Sequence, residues 1–77
     1  MNYFCDLLVE ARVTAGLTQI ALAKKIGVVP TVLQKWEYGQ FLPKALEILK
    51  IIKILNLDKN EVIASIENQK KKDSQIL

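Results

Sequence analysis

A chain of 77 residues with a net charge of +3 has room for one domain. At about this size a domain buries only ~60% of the surface its unfolded chain exposes, so contacts with a partner would add to a marginal stability. Its hydrophobic residues make up 51% of the chain, yet no apolar run nears the roughly 20 residues that span a bilayer, and a single cysteine with no histidine excludes an internal disulfide, a cysteine-histidine zinc site and a histidine-based triad.

The N-terminus, Met1 to Asp6, has no basic segment ahead of its apolar residues and does not read as a signal peptide, so a cytoplasmic location is expected, with no membrane partner. From residue 58 onward, Lys59, Lys70, Lys71 and Lys72 balance Asp58, Glu61, Glu67 and Asp73, which leaves the positive excess in residues 1–57. That excess alone does not point to a polyanionic partner.

The spacing predicts five helices and no strands. The first runs from about Tyr3 to Ala15, with Phe4, Leu7, Leu8 and Ala11 on its apolar side, and stops at Gly16; Leu17 should pack inward. Cys5 reads as a small apolar residue of this helix. Thr18 has the side-chain oxygen that accepts free N–H groups at a helix start, and Leu22, Ala23 and Ile26 follow at helical spacing. Gly27 tolerates the left-handed conformation that ends a helix. Pro30 suits the first position of the next one, because its missing N–H would have had no partner there. Leu33 and Trp36 face inward, leaving Thr31, Gln34, Lys35 and Tyr38 outward, and Gly39 closes the third helix. After the loop to Pro43, a fourth helix starts near Lys44. Leu46, Ile48, Leu49, Ile51, Ile52, Ile54 and Leu55 nearly surround it, more apolar surface than a small core needs. Asp58 can cap a fifth helix carrying Val62, Ile63 and Ile66. Domain organisation follows as residues 1–67 folded and residues 68–77 a polar tail expected to fray, in which Lys70 to Lys72 solvate the tail or touch phosphate.

Two apolar-faced helices joined by a short turn form a helix-turn-helix, the arrangement that places its second helix in the DNA major groove. The ordered residues T-Q-x-x-L-A-x-x-x-G-V at 18–28, W-E-x-G at 36–39, A-R-x-x-x-G-L-T-Q at 11–19 and G-x-x-x-P at 39–43 make residues 7–57 resemble the Xre/Cro family, the lambda-type phage repressor domains and their bacterial relatives. The resemblance implies an all-α, lambda repressor-like bundle of about five short helices.

It further implies that Arg12 and Glu37 form a structural ion pair between the first and third helices, with Arg12 not contacting DNA. Gln19 would bind a backbone phosphate, and the start and outer face of the third helix, Val29, Pro30, Thr31, Gln34 and Lys35, would reach the bases. Lys35 suits guanine or phosphate, Gln34 adenine, and the Thr31 methyl a thymine methyl. Tyr38 belongs to the same face, and Gln40 and Lys44 suit phosphate. Each of these is otherwise a solvated surface residue. The family's pattern is broken at Val29, where a Ser or Thr cap is usual, at Pro30, where a polar reader often sits, and at Tyr38, where an Asn commonly contacts phosphate. Family members commonly dimerise through a C-terminal helix, which makes Leu46, Ile54, Val62, Ile63 and Ile66 candidates for a homodimer interface; some of them otherwise close the monomer's own core.

The resulting expectation is a dimeric, sequence-specific regulator binding a near-palindromic double-stranded operator, a small phage or prophage repressor or Cro-like protein, with no cofactor and no metal. An antitoxin that represses its own operon is the same biochemistry with a toxin, or an antirepressor, as added partner. An interaction module that no longer reads DNA is the alternative of a different class. An enzyme has no support, since no nucleophile-base pair, metal cluster or phosphate loop is present, and Asp6 and Glu10 one turn apart read as a solvated face.

Overall fold

The computed structural model describes residues 2–75, with the side chains of residues 2–72. Five helices follow one another: α1 Phe4–Thr14, α2 Gln19–Ile26, α3 Pro30–Glu37, α4 Ala45–Leu55 and α5 Lys59–Gln75, with no strand among the described residues.

Local chemistry accounts for the boundaries. Thr18 Oγ1 accepts the Ala21 amide at 3.0 Å and starts α2. Gly27, at φ 93°, ends that helix, and the amides of Gly27 and Val28 both donate to the Ala23 carbonyl at 2.8 and 3.0 Å. Asn56 does the same for α4 at φ 54°, with the Leu57 amide bonded to the Ile52 carbonyl at 2.9 Å. Glu47 Oε1 accepts the Lys44 amide ahead of α4, and Asp58 Oδ1 accepts the Asn60 amide at the head of α5. Helix α1 lacks such a cap: Tyr3 supplies no side-chain bond there.

One core joins all five helices. Phe4, Leu7 and Leu8 of α1, Leu22, Ala23 and Ile26 of α2, Leu33 and Trp36 of α3, Ile51 of α4 and Val62 of α5 are buried together. Helix α1 packs against α5 and α3, while α2 packs against α3 and α4. Burying a side chain such as Leu22 or Ile51 stabilises the fold by about 1.5–3 kcal/mol relative to exposing it, before entropy is counted.

Two expectations need correction. Fraying after residue 67 is not what residues 68–75 do: α5 continues to Gln75, and Gln69 is only 3% exposed. Its Oε1 accepts the Cys5 amide at 2.9 Å, so a side chain from the far end of the chain satisfies one of the N–H groups that Tyr3 leaves uncapped. Asn68 Nδ2 donates to the Asn2 carbonyl at 3.2 Å, and Lys72 Nζ lies 4.7 Å from the centre of the Tyr3 ring. Residues 76 and 77, the end of that expected tail, lie outside the described residues. The second correction concerns Val62, which is fully buried within the monomer and therefore has no surface to give a partner. Ile54 and Ile66 are half-buried against the same core. Leu46 and Ile63, by contrast, are exposed, joined by Leu49; the apolar excess of α4 stays in solvent.

Candidate nucleic-acid interface

The turn between α2 and α3 sets the geometry. Gly27 reverses the chain in three residues, Val28 packs half-buried against the core, and Pro30 opens α3 at its first position. Leu33 and Trp36 clamp the inner side of α3, so the outward direction of every other residue on that helix is decided by its register. Val29 precedes the helix without a side-chain cap bond and is 60% exposed.

Behind this face lies a polar network built around Glu37, buried at 8% exposure. Its Oε2 accepts Arg12 Nε at 2.7 Å and its Oε1 accepts Arg12 Nη2 at 3.2 Å, a two-pronged pairing that ties α1 to α3. Arg12 Nη1 also donates to the Leu17 carbonyl at 2.9 Å, which pins the segment entering α2. Gln19 Nε2 donates to Glu37 Oε1 at 2.9 Å, and Gln34 Nε2 donates to Gln19 Oε1 at 3.4 Å. Both Glu37 oxygens and all three Arg12 nitrogens have a partner, and no buried side-chain nitrogen or oxygen among the described residues is left without one, which makes burying this pair tolerable.

The outer surface carries the remaining candidates. Thr31, Lys35, Gln40 and Lys44 are exposed, Pro30 and Gln34 are half-buried, and Tyr38 is 72% exposed. Lys35 Nζ stands 5.7 Å from the centre of the Phe41 ring, and a shallow groove lined by Val32, Lys35, Trp36, Phe41, Leu42 and Lys44 runs between α3 and the start of α4. Lys24 and Lys25 are exposed in the last turn of α2. The structure thus brings Gln19, Gln34 and the Arg12–Glu37 pair into one network, and sets Lys35 and Lys44 on one groove. Interface candidates Leu46 and Ile63 do not line that groove and are exposed on α4 and α5.

Sequence reasoning left out two exposed apolar residues of these elements, Ile20 on α2 and Phe41 in the loop after α3. Ile20 falls outside the Leu22, Ala23 and Ile26 stripe, and that phase was its available signal. The link between Gln19 and Gln34 carried no signal, since helical spacing says nothing about which side chains of two different helices meet.

Among the described residues no three His, Cys, Asp or Glu side chains gather as a metal site, and no helix is long and apolar enough to cross a membrane. What the surface offers is donors, acceptors, lysines and apolar tips along the outer side of a short helix packed on α1 and α2.

The helix-turn-helix family pattern matches residues 8–62, well over half of the chain. The chain belongs to the Xre/Cro-type helix-turn-helix family. Comparison with curated proteins and with solved structures gave no match. As a family member it is an all-α, DNA-binding helix-turn-helix regulator, and α3 is the element in the position of the recognition helix. The match ends at Val62, so the first turn of α1 and most of α5, which hold each other through Gln69, lie outside what the family pattern covers.

Proposed function

We propose that this chain is a dimeric, sequence-specific transcriptional regulator of the small phage-repressor or Cro-like kind, acting in the cytoplasm on a near-palindromic operator. The observation that carries the reading is the outer face of α3: Thr31, Gln34 and Lys35 project from a helix whose other side is clamped by Leu33 and Trp36. In this reading Gln34 and Lys35 meet base edges, and exposed Val29, half-buried Pro30 and the Thr31 methyl supply apolar contacts to thymine methyls. Lys44 and Gln40 hold phosphates beside the groove, as does the N–H of Gln19 not engaged by Glu37. Tyr38 lies against the sugar-phosphate backbone. Arg12 serves the fold.

A dimer places its two recognition helices about 34 Å apart, one turn of the duplex. With a net charge of only +3, phosphate contacts are few, and doubling them in a dimer compensates. An antitoxin that represses its own operon through the same face belongs to this reading. Exposed Ile20, Val29, Tyr38 and Phe41 favour the rival, a module that binds another protein through this surface.

Selection of bound sequences from random duplexes at fixed salt separates the two. The regulator enriches a near-palindrome, and its affinity falls steeply with salt, less so after Lys35→Ala if that lysine holds a phosphate. Flat, salt-sensitive binding with no enriched sequence, or no binding, rejects the regulator in favour of the interaction module.

A further inference from the structure

We infer that Lys71 and Lys72, in the last turns of α5, hold DNA backbone phosphates next to the one assigned to Gln40, a contact site beyond the residues that the family pattern covers. The inference rests on the DNA-binding reading above and adds to it an anchor that carries no sequence preference.

The end of α5 has a fixed place. Gln69 Oε1 accepts the Cys5 amide at 2.9 Å, Asn68 Nδ2 donates to the Asn2 carbonyl, and Lys72 Nζ lies 4.7 Å from the centre of the Tyr3 ring, which holds these turns against the start of α1. The start of α1 in turn meets the end of the recognition helix: a Cβ on Gly39 would touch Cys5 Sγ at 3.4 Å. Cys5 also senses the lysine. Burial and then Asp6 push its thiol pKa up while Lys72 pulls it down, so the Lys72 ammonium acts on the same side chain that Gly39 packs on. Gln40, the next residue, is exposed.

Charge along α5 is polarised. Asp58 and Glu61 stand at its head, and Lys71 follows about 15 Å beyond Glu61, so the lysines and acids from residue 58 onward cancel in sum but not in place. Lys71 and Lys72 are exposed, and no carboxylate among the described residues pairs with either. Each DNA strand presents a charge every ~3.4 Å of its axis, so a strand held at Gln40 carries further phosphates past the clasped end of α5.

The test measures salt dependence on the duplex that the wild-type chain enriches and on a scrambled duplex of equal length. Lys71→Gln with Lys72→Gln should reduce the slope of log affinity against log salt by about two per copy. The affinity lost between about 50 and 200 mM salt then shrinks by about tenfold per copy, on both duplexes alike. Arginine at both positions should keep the slope, and Lys59→Gln, the same charge change at the head of α5, should leave it unaltered. A role confined to the negative end of the helix dipole would lower the unfolding midpoint and spare the slope. An unchanged slope in the double variant, an equal loss in Lys59→Gln, a loss on the enriched duplex alone, or no recovery with arginine would each overturn the inference while leaving DNA recognition standing. Absence of salt-sensitive binding by the wild-type chain would overturn the DNA reading itself, at an earlier step.

Discussion

Glu37 shows how much a single side chain can coordinate. It accepts from Arg12 twice and from Gln19 once, and so joins α1, α2 and α3 at one buried point. Replacing it with Ala leaves the Arg12 guanidinium, whose side chain is 14% exposed, without its counter-charge, and Gln19 without its acceptor. Glu37→Ala is therefore expected to lower the unfolding free energy by about 3 kcal/mol in urea denaturation, towards the buried end of the range for broken ion pairs. The companion double variant Arg12→Met with Glu37→Met should lose distinctly less than the two single losses added, because it removes both charges together. Additive losses would mean that the pair is not coupled. The existence of this pair was legible in the sequence through family resemblance, and its consequence for Gln19 and Gln34 was not. Position along the chain fixes which way a residue points from its own helix, but the contacts between helices depend on how those helices cross.

At the scale of elements, the motif from Thr18 to Gly39 was readable because its signals are local. Thr18 bonds three residues ahead, Gly27 adopts a left-handed turn on its own account, and Pro30 needs no partner at all. Helix α5 was misjudged for the opposite reason. Its last turns look like a solvated tail because Gln69, Asn68 and Lys72 are polar, and their partners Cys5, Asn2 and Tyr3 lie at the other end of the chain. Val62 was misplaced by the same blindness: a helical stripe reveals an apolar face without revealing what covers it. Gln69→Ala strips a buried backbone N–H of its acceptor, and the expected loss is about 1–2 kcal/mol in equilibrium unfolding. Operator preference should not move, since Gln69 lies far along the chain from α3, and a change in preference would contradict the division of labour between α5 and α3. Gly39 adds a smaller local point. Its φ of 77° is strained for any other residue, whereas a Cβ there would meet Cys5 Sγ only at 3.4 Å, an ordinary contact distance, so the backbone conformation and not the space is what calls for glycine.

For the whole molecule, the unresolved balance lies between burial and association. Leu46 is 74% exposed, and Leu49 and Ile63 are also left in solvent, an apolar surplus on α4 and α5 in a chain too small to bury more. Sedimentation at micromolar concentration is expected to show a dimer for the wild-type chain and a monomer for Leu46→Glu, with operator affinity falling in step. A wild-type monomer under those conditions would reject the association argument, and salt-sensitive binding by single copies would then have to carry the function.

The Cys5–Gln69 bond spans 64 residues. Contacts between neighbouring helices such as α2 and α3 close short loops, whereas this one must wait until nearly the entire chain has been gathered, because loop-closure entropy grows with the length enclosed. The clasp is therefore expected to close late in folding and to open early in unfolding. A substitution at Gln69 should quicken unfolding while hardly altering the refolding rate. On that expectation the clasp lengthens the lifetime of the folded molecule without hastening assembly of the DNA-binding core.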